Sequence, residues 1–147
     1  MKTNRFTINL DGTVTDTSTM LMWQQKSAGK MSWEEAIKYC EDLRLGGYND
    51  WRVPNRSELI SLVDDTKHNP AIDTITFPDT VSSYYWSSAT YALGTGLAWC
   101  VDFYFGLVDY GSKSGSLYVR AVRGGQSGSF GDLAINKQNG ANSIEGK

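Results

Sequence analysis

The sequence holds little of what enzymes and metal sites are usually built from: its 147 residues include one histidine, two cysteines and three prolines. The single His68, in "KHNP", leaves only Cys40 or Cys100 as partner for a thiol dyad, and nothing nearby places a base beside either thiol. Two cysteines and one histidine fall short of a closed zinc set. Asp64, Asp65, Asp73 and Asp79 offer oxygen atoms, yet no loop of alternating carboxylates surrounds them. A structural calcium is therefore unsupported, no cofactor is expected and no catalytic residue is named. "GTGLAW" lacks the lysine of a phosphate loop. No apolar run is long enough to span a bilayer, and "MKTNRFTINL" lacks the apolar centre and cleavage site of a signal peptide. The chain as given thus reads as cytoplasmic, as a mature form, or as a piece of a longer exported protein. A formal net charge of −2 supplies no basic field for nucleic acid or an anionic membrane.

What is present is apolar and aromatic: 40% hydrophobic and 12% aromatic residues suffice for the core of one α+β domain. "RFTINLDGTVTDTSTMLMWQ" reads as two or three short strands, with Asp11-Gly12 as a hairpin turn. "MSWEEAIKYCEDLRLGG" opens on a Ser32/Glu35 capping box and stops at Gly46-Gly47, with Trp33, Ala36, Ile37, Cys40 and Leu43 on one face. Asn55 and Glu58 repeat the capping pattern and predict a second helix over about 55–64. "KHNPAIDTITFPDT" reads as a long irregular connection. From Tyr84 onward, "YYWSSATY", "LAWCVDFYF", "LVDY" and "LYVRAVR" read as strands. The domain is expected over residues 1–124. Residues 125–147, rich in Gly, Ser and Asn, are expected to form a linker or tail, or to pack on a second copy in a homo-oligomer. Cys40 and Cys100 are left open as a disulfide or as two free thiols.

"GTVTDTSTMLMWQ", "AIKYCEDLRLGGYNDWRVPNRSELISLVD", "YYWSSATY" and "YVRAVRGG" together resemble the C-terminal domain family of the Legionella collagen-like adhesin. The resemblance covers about residues 5–125. It implies a C-type-lectin-like fold in an exported bacterial protein, extracellular or on the cell surface, that binds ligands and catalyses nothing. It also implies sulfated glycans as a ligand class. Arg5, Arg52, Arg56, Lys113, Arg120 and Arg123 are the cations available for them, although the acidic balance points away from that ligand. The calcium-sugar tripeptides of animal C-type lectins are missing, because "YND" lies between the helices.

A second resemblance is narrower. The stretch 93–117 is similar to the variable region of target proteins of diversity-generating retroelements, whose mutated codons never yield Lys, Glu, Gln, Met or Trp. That resemblance divides the stretch in two. Leu93, Gly94, Gly96, Leu97, Cys100, Asp102, Tyr104, Phe105, Leu107, Asp109, Tyr110, Gly111, Ser112, Ser114, Gly115, Ser116 and Leu117 form a displayed set free of those types. Trp99, Lys113, Ala98, Val101, Phe103, Gly106 and Val108 form a scaffold. Strand alternation agrees, with Trp99, Val101 and Phe103 pointing opposite to Cys100, Asp102 and Tyr104. Stiff aromatic rings among small polar residues are also the composition of antibody paratopes. The expected ligand-binding residues are Asp102, Tyr104, Phe105, Leu107, Asp109, Tyr110, Ser112, Ser114 and Leu117. The expected partner is a protein or glycan ligand.

Overall fold

The two capping boxes read from the sequence both form, and they place two helices against a β framework. A computed structural model describes residues 5–124; the expected tail at 125–147 lies outside the described residues. Ser32 accepts from the Glu35 N–H while the Glu35 carboxylate accepts from the Ser32 N–H, opening α1 (Trp33–Asp42). The helix ends at Leu43, whose backbone is extended, and not at the glycine pair. Gly46 and Gly47 instead take positive φ, 64° and 85°, in a turn that returns Tyr48 to Leu45. Asn55 and Glu58 cap α2 in the same reciprocal way, but α2 is only Arg56–Ile60, shorter than the 55–64 expected. Leu62 and Val63 continue as single turns, with N–H groups reaching back three residues to Leu59 and Ile60.

The strands make two sheets. β1 (Phe6–Ile8), β2 (Thr13–Asp16), β3 (Leu21–Gln24) and β9 (Val122–Gly124) form an antiparallel sheet in that order. The β1–β2 hairpin turns at the expected place, with Gly12 at φ 92°. The second sheet has the order β4 (Ala28–Met31), β8 (Leu117–Val119), β5 (Tyr84–Thr90), β6 (Leu97–Asp102), β7 (Leu107–Ser112). It is antiparallel except where β5 and β8 run parallel. Two features depart from the sequence reading. β4 is an additional strand, and "LYVRAVR" divides between the sheets, β8 in one and β9 in the other. The irregular connection ahead of Tyr84 is observed as expected, without strand or helix.

Both faces of the central strands β5 and β6 are covered, which sets the location of the core. On one face Tyr85, Val101 and Phe103 pack with Val14, Leu21, Trp23 and Val122 of the first sheet, with Leu59 of α2 and with Phe77. On the other, Trp86, Ala98 and Cys100 pack with Ala36 and Cys40 of α1, and with Trp51, Val53 and Val119. Trp33, expected on the buried face of α1, is half-buried and donates its indole N–H to the Ser87 carbonyl.

Arg120 crosses between the sheets as a fully buried guanidinium. It donates to the carbonyls of Gln24 and Gln25 and to the hydroxyls of Ser27 and Thr80. Its charge lies over the Phe77 ring, 4.6 Å from the centroid, and Asp79 stands 4.0 Å away. Burial lowers its pKa from the ordinary arginine value, against the opposing pull of Tyr85 and Asp79.

Candidate functional site: an exposed aromatic edge

The turn between β6 and β7 groups several exposed apolar side chains of the late segment. Asp102 ends β6 and accepts the Tyr104 N–H at 2.8 Å, while the Asp102 carbonyl accepts from Gly106. Gly106 has φ 80°, and a Cβ there would stand 2.8 Å from Val63 Cγ1 and 3.3 Å from Ala71 Cβ. Only glycine satisfies both conditions. The Asn69 and Ala71 N–H groups donate to the carbonyls of Tyr104 and Phe103, both at 2.7 Å, so the irregular connection serves as a cradle for this turn. The cradle presents Tyr104 and Phe105 outward with ring centroids 4.5 Å apart, and His68 stands beside Tyr104. Phe105 and Leu107 are 62% and 60% exposed and adjoin Tyr104, so the turn forms a contiguous apolar patch and not a single exposed side chain.

Along β7 the side chains alternate. Val108 and Tyr110 share one face with Trp99 and Tyr91; Leu107 and Asp109 share the other with Tyr84. Tyr110 stacks on Tyr91 at 4.4 Å and meets Trp99 edge-on, while the Arg56 guanidinium lies 4.4 Å over the Trp99 ring. Sequence reasoning missed Tyr91 and Tyr84 as part of this surface and named Arg56 only as a cation for a sulfated glycan, because each comes from another element and no local signal ties it to β7. On the opposite face the charge of Asp102 foremost, with slight burial and Asp109, raises the Tyr84 phenol above its ordinary pKa.

Of the nine expected ligand-binding residues, Tyr104, Phe105, Leu107, Asp109, Tyr110, Ser112 and Ser114 are exposed. Two are placed otherwise. Asp102 is buried and serves the turn, and Leu117 is half-buried against the Cys40–Cys100 cluster. The displayed set needs a larger correction at Cys100, which is 1% exposed. Alternation along β6 does not separate core from solvent, because α1 covers one face of the strand and α2 with the first sheet covers the other. The scaffold set is corrected too: Val108 is exposed and Trp99 half-buried. Ser112, Lys113 and Ser114 line, with Ser32, Glu34, Thr95 and Gly96, an open cleft of about 690 Å³.

The remaining chemistry is sparse. Cys40 and Cys100 are both free and buried, and burial foremost pushes each thiol up to about 12. Among the described residues no cluster of three His, Cys, Asp or Glu side chains could hold a metal ion. Asp73 and Asp79 accept hydrogen bonds from their own loops or from Ser27. The six cations available for a sulfated glycan do not assemble. Arg120 is interior, Arg5, Arg52 and Arg123 hold the carboxylates of Asp16, Glu58 and Asp50, and Arg56 and Lys113 lie over the indoles of Trp99 and Trp33.

Fold and site together define an α+β domain with an exposed, aromatic-edged surface on its late strands. The model of the Lcl C-terminal domain matches residues 12–123, from the first hairpin turn to the last strand, and the chain belongs to that family. The family is that of the Legionella collagen-like protein's C-terminal domain, an adhesin-related domain and not a known enzyme family. No curated protein matches the chain. No helix among the described residues is long and apolar enough to cross a membrane.

Proposed function

We propose that the domain is a non-enzymatic recognition module of C-type-lectin-like fold, carried outside the cell by an exported bacterial or phage-associated protein. Its binding surface is the β6–β7 turn with β7. The carrying observation is the exposure of Tyr104, Phe105, Leu107, Val108 and Tyr110, at the turn and on both faces of an edge strand, on a scaffold that buries Trp23, Trp86 and Phe77 completely. Large rings fixed by a built turn offer contact area at little entropic cost, and Asp109 and the neighbouring serines offer adaptable polar contacts. The ligand is a protein or a glycan.

The same reading suits a diversified surface. Tyr104, Phe105, Leu107, Asp109 and Tyr110 extend into solvent, so exchanging them leaves both core clusters intact. Cys100 and Asp102 do not qualify. A neighbouring reverse-transcriptase gene with an Asn-rich template copy of the β6–β8 stretch would support this history.

The functional test is a glycan and protein array probed with the full chain and with Tyr104→Ala. Binding that persists at high salt and disappears in the variant is expected. Heparin binding that vanishes at high salt and ignores Tyr104 would replace this reading with a cationic one.

A further inference from the structure

β7 is the outer strand of its sheet, and its free side has a specific chemistry. The Lys113 N–H bonds to the Gly96 carbonyl across the β6–β7 seam. Backbone groups alternate in direction along a strand, so Gly111, Asp109 and Leu107 also face β6. Val108, Tyr110 and Ser112 therefore turn their N–H and C=O groups away from the sheet. The contact at Tyr110 agrees: its N–H is taken at 2.8 Å by the carboxylate of Asp109, the residue before it, and not by β6. Asp109 thus occupies the place a neighbouring strand's carbonyl would fill.

We propose that β7 accepts an extended peptide as a sixth strand, and that the peptide is basic. This rests on reading the β6–β7 surface as a recognition face. Five of the six β7 residues are exposed, Gly111 being half-buried, and among the described residues no strand pairs with the outer side of β7. An open, apolar edge of this length is a template for strand addition. An incoming carbonyl displaces the Asp109 carboxylate from the Tyr110 N–H, and a Lys or Arg on the added strand then pairs with the released carboxylate. Aliphatic side chains at alternate positions lie beside Val108 and Tyr110.

Charge argues against a second copy as occupant. Antiparallel self-pairing that sets Val108 opposite Tyr110 sets Asp109 opposite Asp109, and shifting by one pair leaves both carboxylates on one face of the seam. Like charges so placed oppose pairing.

The test uses the full chain and three capped hexapeptides: alternating Lys-Val, alternating Glu-Val, and Lys-Val with every backbone nitrogen methylated. Titration calorimetry should detect the first and neither of the others. Val108→Pro removes an outward N–H while sparing the β6 seam, and should weaken binding at least about tenfold. Asp109→Asn should weaken it about tenfold and remove its salt dependence. Thermal unfolding of each variant verifies that the domain is intact. Equal binding of the methylated peptide overturns strand addition, and so does a β7-dependent dimer of the chain in light scattering. An array ligand that depends on Tyr104, combined with no hexapeptide binding, overturns this inference alone and leaves the recognition reading standing. Hexapeptide binding sensitive to Val108→Pro, without any Tyr104-dependent ligand, supports the edge and overturns the aromatic surface.

Discussion

Cys100 and Asp109 are direct partners across the β6–β7 seam, yet one is 1% exposed and the other lies in solvent. A single cross-strand pair thus marks where the core ends and the recognition edge begins. With its thiol pushed up to about 12, Cys100 carries almost no thiolate at neutral pH, and the same holds for Cys40. Neither cysteine should react with a thiol reagent at pH 7.5 until the chain is unfolded, when both should react. Cys100→Ser, which places a hydroxyl in an apolar cluster, should lower stability by roughly 1–3 kcal/mol in urea unfolding.

Arg120 should be the least replaceable charged residue. Arg120→Met leaves the carbonyls of Gln24 and Gln25 without their donor, and a loss of about 3–5 kcal/mol is expected. Arg120→Lys should fare little better, because an ammonium cannot serve the carbonyls and the hydroxyls of Ser27 and Thr80 from one planar fork. Retention of the wild-type unfolding midpoint in either variant would contradict the bridging role given to this side chain.

Gly106→Ala tests the turn. The substitution demands φ 80° of a residue with a side chain and drives its Cβ into Val63, so a cost of about 1–3 kcal/mol is expected. Ligand binding should fall with it, because the same turn aims Tyr104 and Phe105. Tyr104→Ala, by contrast, should alter stability by about 0.5 kcal/mol or less while removing binding.

Asp16 sets an acid limit on stability. Burial pushes its carboxyl upward, but hydrogen bonds from Arg5 and Ser18 and the Arg5 charge outweigh that and hold its pKa below the ordinary 3.8. A lowered folded-state pKa means that the native state binds protons less readily than the unfolded one. The contribution is therefore complete above the ordinary carboxylate range and is lost as pH falls through the folded value. Asp50, paired with Arg123, follows the same sign, its arginine hydrogen bond being the leading cause. Urea midpoints measured between pH 7 and pH 2 should fall below about pH 4 in the wild type. The fall should be shallower in Asp16→Asn.

The parts of this fold visible in the sequence are those fixed within a few residues. Ser32/Glu35 and Asn55/Glu58 announce two helix starts because a capping box needs only its own four residues. The helix ends differ from those expected for a complementary reason. Leu43 leaves α1 to pack on the Cys40–Trp86 cluster, a tertiary choice that overrides the later glycines. The break of "LYVRAVR" into two sheets follows from Arg120 and Ala121 turning inward, and no local periodicity encodes it. Composition marked the late segment as rich in aromatic and small polar residues, and several of its large side chains lie exposed. It could not separate Cys100 from Tyr104, since period-two alternation identifies solvent only where one face of a strand is bare.

The first sheet holds both β1 and β9, at its two edges, while β7 belongs to the other. Tension along the polypeptide therefore runs from β1 through β2 and β3 to β9, across three antiparallel seams, without passing through the strand that carries the exposed rings. A tether pulled at its ends would load one sheet and leave the contact surface of the other in register.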